Sequence, residues 1–121
     1  MTWQEKIIAV HTSVTDAVSH LRRMKSDRYF VWAEDSRNDF EAGDKHAEKA
    51  IEGTTDLWTK QEFDPWVQQF EDALDAADVI AWYCNVENDY DEETGFHHYE
   101  WVWQIPVGVY PDGQVDCGQG P

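Results

Sequence analysis

The chain has 121 residues, of which 41% are apolar, and a formal net charge of −16 at pH 7. This length is typical of a single domain, and seven Trp, five Tyr and five Phe supply enough apolar surface for a packed core, which argues against a disordered chain. No apolar run approaches the roughly 18 residues that cross a bilayer, and none forms a secretion leader, so we expect an intracellular protein that does not enter membranes.

The charge is distributed unevenly along the chain. All nine Lys and Arg lie in the first sixty residues, where eleven acids leave a net charge of −2, and the fourteen acids of residues 61–121 account for the other −14. Such a field repels nucleic-acid phosphate and attracts cationic surfaces. We therefore expect no sequence-specific nucleic-acid binding, and either a basic protein partner or a surface that polyanions pass without sticking.

The first predicted element is a helix near residues 3–25. Thr2-Trp3-Gln4-Glu5 is typical of a capping box, in which two side chains satisfy free amides at the helix start. Apolar residues then recur every three or four positions, at Ile7, Val10, Val14, Val18 and Leu21. Three cations at the predicted C-terminal end complement the helix dipole: Arg22, Arg23 and Lys25.

Two strands and an exposed segment are predicted next. Tyr29-Phe30-Val31-Trp32 is β-branched and aromatic, and residues 50–60 alternate between two faces, as strands do. The charged stretch from Glu34 to Glu48 between them is typical of an exposed loop or an irregular edge hairpin, where we expect mobility.

Asp64-Pro65 predicts the start of a second helix, near residues 65–76, because Asp is a favoured N-cap and proline fits the first helical position. Its apolar stripe has helical spacing: Trp66, Phe70, Ala73, Leu74 and Ala77. Three acids on its other side have no basic partner one turn away and form either a solvated face or a partner surface: Glu71, Asp72 and Asp75.

The segments 79–86 and 96–105 are predicted to pair as an antiparallel hairpin with an acidic tip. In the second strand, one face carries Tyr99, Trp101, Trp103 and Ile105, and the other carries His98, Glu100, Val102 and Gln104. These elements predict an α+β fold of two layers, with a mainly antiparallel sheet of four or five strands and two helices on one face, in the order α-β-(β)-β-α-β-β. A single domain covers residues 1–105, and a Pro/Gly-rich tail covers 106–121.

No motif in the sequence indicates catalysis, a cofactor or a metal. The carboxylates cluster on predicted surfaces, and no activated nucleophile or phosphate-binding loop is present. Calcium-loop spacing occurs at Asp89, Asp91, Glu93 and Glu100, but Thr94 stands where glycine is needed. His97 and His98, considered with His46 or Cys117, point to opposite faces of a strand, which disfavours zinc. We expect a protein that is not an enzyme.

Several residues are candidates for interfaces or for the core. Trp58 shares a strand face with acids and Trp3 lies in a first helical turn, so these two rings are candidates for an oligomer interface. The candidate acids belong to the 34–48 segment and the 87–93 tip: Glu34, Asp35, Asp89, Asp91, Glu92 and Glu93. The residues expected in the core are Trp82, Trp101, Trp103 and the thiol of Cys84.

Four segments carry a resemblance to a known family: RYFVWAED at 28–35, GTTDLWTK at 53–60, EFDPW at 62–66 and TGFHHYEW at 94–101. Their order and spacing resemble the tail terminator, or tail completion, proteins of long-tailed phages and prophages, over about residues 3–105. The resemblance implies a small α/β protomer that forms a homo-oligomeric ring, commonly a hexamer, on the end of the tail tube. It also implies head-tail joining through the head connector, in the cytoplasm of the bacterial host and then in the virion tail.

Under this interpretation the acids line a channel past which DNA slides without the counterion release that a cationic lining causes. The same acids could instead only keep a monomer soluble. An alternative function is an acidic immunity or inhibitor protein, or a DNA mimic, that neutralises a basic nuclease-type partner. An inhibitor is expected to bind one cationic partner as a monomer or dimer, whereas a tail protein self-associates through heterologous contacts that close a ring.

Overall fold

A computed structural model describes the backbone of residues 2–38 and 49–107 and the side chains of residues 2–36 and 49–107. In chain order, its elements are α1 (Trp3–Thr12), β1 (Val18–His20), β2 (Arg28–Asn38), β3 (Lys49–Thr59), α2 (Trp66–Ala76), β4 (Ala81–Tyr90) and β5 (His97–Val107). The strands form one sheet in the order β1-β2-β3-β5-β4. β1 runs parallel to β2 and all other neighbours are antiparallel, so the predicted α+β fold and its element order are confirmed. Neither of these two helices is long and apolar enough to span a bilayer.

Both helices cover the same face of the sheet. In the register, Phe30 of β2 lies beside Leu57 of β3, which lies beside Tyr99 of β5. Alternate residues on this face are buried together with one stripe from each helix. The fully buried apolar side chains are Ile7, Phe30, Leu57, Phe70, Leu74, Trp101, Trp103 and Ile105. The predicted face of β5 is therefore the core face. On the opposite face of the sheet, which we call the open face, no helix lies among the residues that the structure describes.

α1 ends at Thr12, so the predicted helix to residue 25 was wrong beyond that point. The side chains of Thr12 and Ser13 donate to the carbonyl oxygens of Ile8 and Val10, at 3.0 and 2.7 Å, and the chain then turns. β1 starts at Val18, a β-branched residue that pairs with Phe30 of β2. The spacing of the apolar residues fits a helix as well as this arrangement, and the pairing of Val18 with the sheet decides for the strand. Three cations predicted at a helix end lie instead in the connection between β1 and β2: Arg22, Arg23 and Lys25.

The charged segment after Trp32 is partly a strand. β2 continues to Asn38 and pairs with β3 through a register shift between Glu34 and Ser36, which agrees with the irregular hairpin that we considered and not with a loop. Residues 39–48 lie outside the described residues. The predicted alternation of β3 is confirmed, since Gly53, Thr55 and Leu57 are buried.

Gly53 of β3 lies directly opposite Trp103 of β5, and the Trp103 ring leaves no room for a side chain at position 53. A Cβ atom at this position would lie 2.3 Å from the Trp103 ring and 2.7 Å from the carbonyl oxygen of Ala33. The absence of a side chain therefore allows Trp103 to lie flat against β3.

The C-terminal elements largely follow the prediction. α2 spans the predicted residues and buries Phe70 and Leu74. Two of its acids are not merely solvated, because the carboxylates of Glu71 and Asp75 accept the indole N–H groups of Trp101 and Trp82, both at 2.9 Å. The β4–β5 hairpin is confirmed, but β4 starts at Ala81 and runs to Tyr90, which extends pairing into the predicted tip.

One expected core residue of the hairpin is at the surface. Cys84, predicted as a core thiol, is exposed, because it lies on the outer edge strand, although the register places it opposite Trp101 of the core face. Cys117 and the tail after Val107 lie outside the described residues.

A buried chain of hydrogen bonds joins α1 to the centre of the sheet. The Trp103 indole N–H donates to the Thr55 hydroxyl oxygen at 2.9 Å, and this hydroxyl lies 2.8 Å from His11 Nε2. His11 Nδ1 lies 2.7 Å from the carbonyl oxygen of Ile7, which can only accept, so Nδ1 carries the proton and Nε2 accepts from Thr55. Burial favours the neutral ring and lowers the pKa of His11 from 6.5 to about 4, against the Ile7 hydrogen bond, which raises it.

We predict that the contribution of His11 to the free energy of unfolding depends on pH. The unfolded ring binds a proton near pH 6.5 and the folded ring only near 4, so the contribution is complete above pH 6.5 and is lost as pH falls toward 4. Urea unfolding of the wild type and His11→Gln at pH 7 and pH 4.5 should show their difference in unfolding free energy shrinking by about 2–3 kcal/mol. Because all other titrating groups are common to both proteins, an unchanged difference would contradict the neutral, buried imidazole.

Candidate interaction surfaces

The structure moves Trp3 from the surface to the core. Its ring is 6% exposed and packs edge-to-face on Trp32, with ring centroids 6.4 Å apart. The expectation that this ring is left at an oligomer interface was therefore wrong. The stripe of α1 that contains Ile7 and Val10 faces the sheet and carries Trp3 with it, since residues three or four apart share a helix face.

Trp58 lies half-buried on the open face. Its ring stacks on His98 with centroids 4.0 Å apart and planes 9° apart, and the Arg23 guanidinium lies 4.5 Å from the ring centroid on the β1–β2 connection. These contacts fix the ring in one orientation while leaving part of it accessible. Trp58 stays a candidate interface residue.

The candidate acids occupy two separate places. On β2, exposed Glu34 lies 2.7 Å from His20 Nε2, and the Asp35 carboxylate accepts a hydrogen bond from the Thr54 hydroxyl. The other four are exposed at the end of the β4–β5 hairpin: Asp89, Asp91, Glu92 and Glu93. None of the ion pairs found among the described residues involves these four, so the hairpin end presents uncompensated negative charge.

A groove of about 550 Å³ crosses the open face. Its floor contains a cross-strand cluster, in which Asp56 of β3 lies directly opposite Glu100 of β5 and His98 stands two residues along. His98 Nε2 lies 2.7 Å from an Asp56 carboxylate oxygen. Like charges that face each other across two strands are unfavourable, and the adjacent imidazole offsets this when it is protonated.

One potential ligand atom from each of Asp56, His98 and Glu100 lies within 4.8 Å of the others, so these three residues could hold a metal ion. The sequence did not indicate this set, because Asp56 is far from the two others along the chain and comes close only through strand pairing. His97 points to the opposite face, as expected, and its ring lies 2.6 Å from the Asn88 amide oxygen. His46 lies outside the described residues.

Residues 60–65, which we call the junction loop, connect β3 to α2 and are fixed by hydrogen bonds of Asp64. The Asp64 side chain has no exposed surface and accepts two hydrogen bonds from the Arg28 guanidinium, the one from Nε at 2.8 Å. Asp64 also accepts the Trp66 backbone N–H at 2.9 Å, so its side chain bonds to the helix start as predicted, but α2 begins at Trp66 and its N-cap residue is Pro65, one position later than predicted. The same guanidinium lies 3.6 Å from the Trp66 ring centroid.

Phe63 projects from this loop into solvent. Its side chain is 83% exposed and its φ is +54°, in the left-handed region that bulky residues rarely occupy. The sequence segment EFDPW offered a signal, but an apolar residue just before a helix usually packs back on the helix, which predicts burial. Phe63 was not among the predicted interface residues.

Comparison with known proteins gives no family. No protein-family model matches the chain, and no curated protein sequence matches it significantly.

We predict that the buried pair of Arg28 and Asp64 stabilises the fold in a pH-dependent way. Burial by itself raises the pKa of Asp64, but hydrogen bonds from Arg28, Trp66 and Thr59 outweigh it and hold the pKa below its ordinary value of 3.8. The contribution is thus present above about pH 4 and is lost as pH falls through the lowered folded value. Asp64→Asn should lower the free energy of unfolding by about 2–3 kcal/mol at pH 7, and this difference should shrink below pH 4.

Asp27→Asn is the matched control for this prediction, since it removes the same charge from an exposed ion pair with Lys60 at 3.5 Å. Its effect should stay near or below about 0.5 kcal/mol at all pH values. Equal effects of the two variants in thermal and urea unfolding would show that the buried pair has no special role.

Proposed function

We propose that this chain is a structural assembly protein that forms a homo-oligomeric ring, caps the tail tube of a long-tailed phage or prophage and joins it to the head connector. The proposal assigns no catalytic activity to the chain. It acts in the cytoplasm of the bacterial host during assembly and then in the virion tail.

The observation that carries the proposal is the acidic end of the β4–β5 hairpin. All residues of β4 except Trp82 and Val86 are exposed, so its distal half extends beyond the layer that the helices cover. Tyr90 still pairs with His97 there, and the turn is closed by the Asp91 carboxylate, which accepts the Glu93 backbone N–H at 3.0 Å. The carboxylates therefore stand on an ordered support and not on a loose segment.

This geometry suits a channel lining. A ring of such hairpins would surround its axis with carboxylates, and no Lys or Arg occurs after Lys60 to attract a phosphate backbone. DNA that passes such a surface releases no counterions to it and gains no binding free energy. Genomic DNA could then move through the ring without being retained.

The free sheet edge at β4 is unsuited to joining copies by strand addition. Its ladder is interrupted between Cys84 and Val86 and again between Val86 and Asp89, and acids follow along the edge. Bulges and charges on edge strands prevent edge-to-edge pairing. Copies are therefore expected to meet through side-chain surfaces.

Deletion of the gene from its phage or prophage tests the proposal. We expect tails of abnormal length that do not join heads, restored by the wild-type gene, and we expect the purified chain to sediment with tail tubes as a ring. Tails of normal length that join heads, together with no association with tubes, would refute the proposal. Tight binding of the monomer to one cationic protein would instead favour the inhibitor.

The role of the hairpin acids is tested in the same complementation assay. A variant with Asp89→Asn, Asp91→Asn, Glu92→Gln and Glu93→Gln should still form rings and join heads, because these side chains lie outside the core, but should slow DNA ejection at low salt. The matched control is Glu5→Gln, Asp16→Asn, Asp27→Asn and Asp72→Asn, which removes four exposed acids elsewhere. Equal ejection rates for the two variants would show that the position of the charge is irrelevant.

A further inference from the structure

Phe63 has the properties of an anchor that inserts into a partner. A bulky residue in the left-handed region is strained, and an 83% exposed phenyl ring gains nothing from the fold in return. Strained positions of this kind persist where the surrounding structure fixes them. Here the neighbouring Asp64 is held by Arg28 and by the Trp66 backbone N–H. The ring is thus presented on a pre-organised support, which lowers the entropy lost on binding.

A groove that is large enough to admit a phenyl ring lies between the two helices. It has a volume of about 440 Å³ and is lined mainly by small or apolar side chains from α1 and from the C-terminal end of α2. The residues that matter here are Ala9, Ala73, Ala76, Ala77 and Val79, with Lys6 at the rim. Val79 is 47% exposed although it is apolar. Small side chains leave room for a phenyl ring against helix backbone, and the volume lies within the usual range for ligand pockets.

The Phe63 ring of one molecule cannot fill the groove of the same molecule. Phe63 precedes the first turn of α2, whereas Ala76, Ala77 and Val79 lie at or beyond its last turn. A helix of this length separates them by about 16 Å. A Phe63 ring that occupies this groove must therefore come from another chain.

One charge pairing is available between the two surfaces. Glu62 stands beside Phe63 and is exposed, while the groove is bordered by one cation, Lys6, and one acid, Asp78. A second copy of this chain that seats its Phe63 ring in the groove with Glu62 toward Lys6 would form an ion pair across the contact. This pairing is the charge contact by which a second copy would be recognised.

We propose that Phe63 of one copy inserts into the groove between α1 and α2 of the next copy. The two surfaces differ, so the contact is heterologous, and repeated contacts of this type build a closed ring or an open filament. The inference rests on the proposed function for the ring, and it adds the contact by which the ring is made.

Sedimentation velocity of the full chain over a range of concentrations tests this contact. Phe63→Gly should weaken the association constant between copies by about 10- to 100-fold, as expected for loss of one buried phenyl ring. The same variant should unfold at an equal or higher temperature, because glycine relieves the left-handed strain. A loss of association together with retained stability separates an interface role from a folding defect.

Leu21→Gly is the matched control. Leu21 is also apolar, 62% exposed and in the left-handed region, with φ of +72°, but it lies at the open-face groove. The Leu21→Gly variant should leave the association constant unchanged.

Ala76→Trp, which fills the groove from an exposed position, should weaken association as Phe63→Gly does. Lys6→Glu and Glu62→Lys should each weaken association, and the double variant should restore it.

Wild-type association that equals that of Phe63→Gly, or a wild-type chain that is monomeric at every concentration, overturns this contact. Either result leaves the proposed function to be judged by the deletion phenotype. If deletion disrupts tails while Phe63→Gly still forms rings, only the assigned contact is wrong.

Discussion

The hydrogen-bonded ion pair between Arg28 and Asp64 determines how the two halves of the chain meet. Asp64 ends the connection from β3 and starts α2, while Arg28 begins β2. The desolvation penalty of the buried Asp64 carboxylate is offset because the guanidinium stays 32% exposed and Asp64 receives further hydrogen bonds. The guanidinium also covers the Trp66 ring, which stacks on Phe30 at 5.7 Å. One buried carboxylate thus links the sheet, the second helix and the core.

The same constraint shapes the surface. Asp64 points inward, and the preceding residue, Phe63, has a left-handed backbone and an exposed side chain. The second helix then places the groove residues at its far end. The exposed ring and the groove lie at opposite ends of α2, so a contact between them would join two copies of the chain.

The two faces of the sheet have different roles. The helix-covered face is held by apolar packing and by the buried chain from Trp103 through Thr55 to His11. The open face carries half-buried ionisable groups that interact mainly with each other, including Asp56, His98 and Glu100. Acids on this face and on the hairpin keep the net charge strongly negative, which opposes non-specific association and leaves specific contacts to the few apolar exposures.

Much of the fold could be predicted because local signals and burial agree. The capping box at Thr2, the Asp64-Pro65 helix start and the alternation in β3 and β5 all describe structure that neighbouring residues enforce. The error after Thr12 arose because Val14 and Val18 serve the core from a loop and a strand at spacings that a helix also produces. Only pairing with Phe30, a contact between distant residues, decides between the two.

The candidate surfaces were harder to predict because they depend on such distant contacts throughout. Asp56 meets Glu100 through strand register, and Phe63 is exposed beside Asp64, which a distant arginine holds in the fold. Its place in the first helical turn suggested an interface role for Trp3, whereas its spacing to Ile7 and Val10 places it in the core. The exposure of the acids at the hairpin end could be predicted from the sequence, since these side chains form no ion pair within the described part of the chain.

The central claim is that the junction loop presents Phe63 to another copy of the chain. The most direct measurement is to replace Phe63 with a photoreactive benzoylphenylalanine, irradiate the assembled protein and identify the cross-linked peptides by mass spectrometry. The account predicts cross-links between chains, to peptides that contain α1 and residues 73–79. Cross-links that reach only the open face, or none between chains, would contradict it.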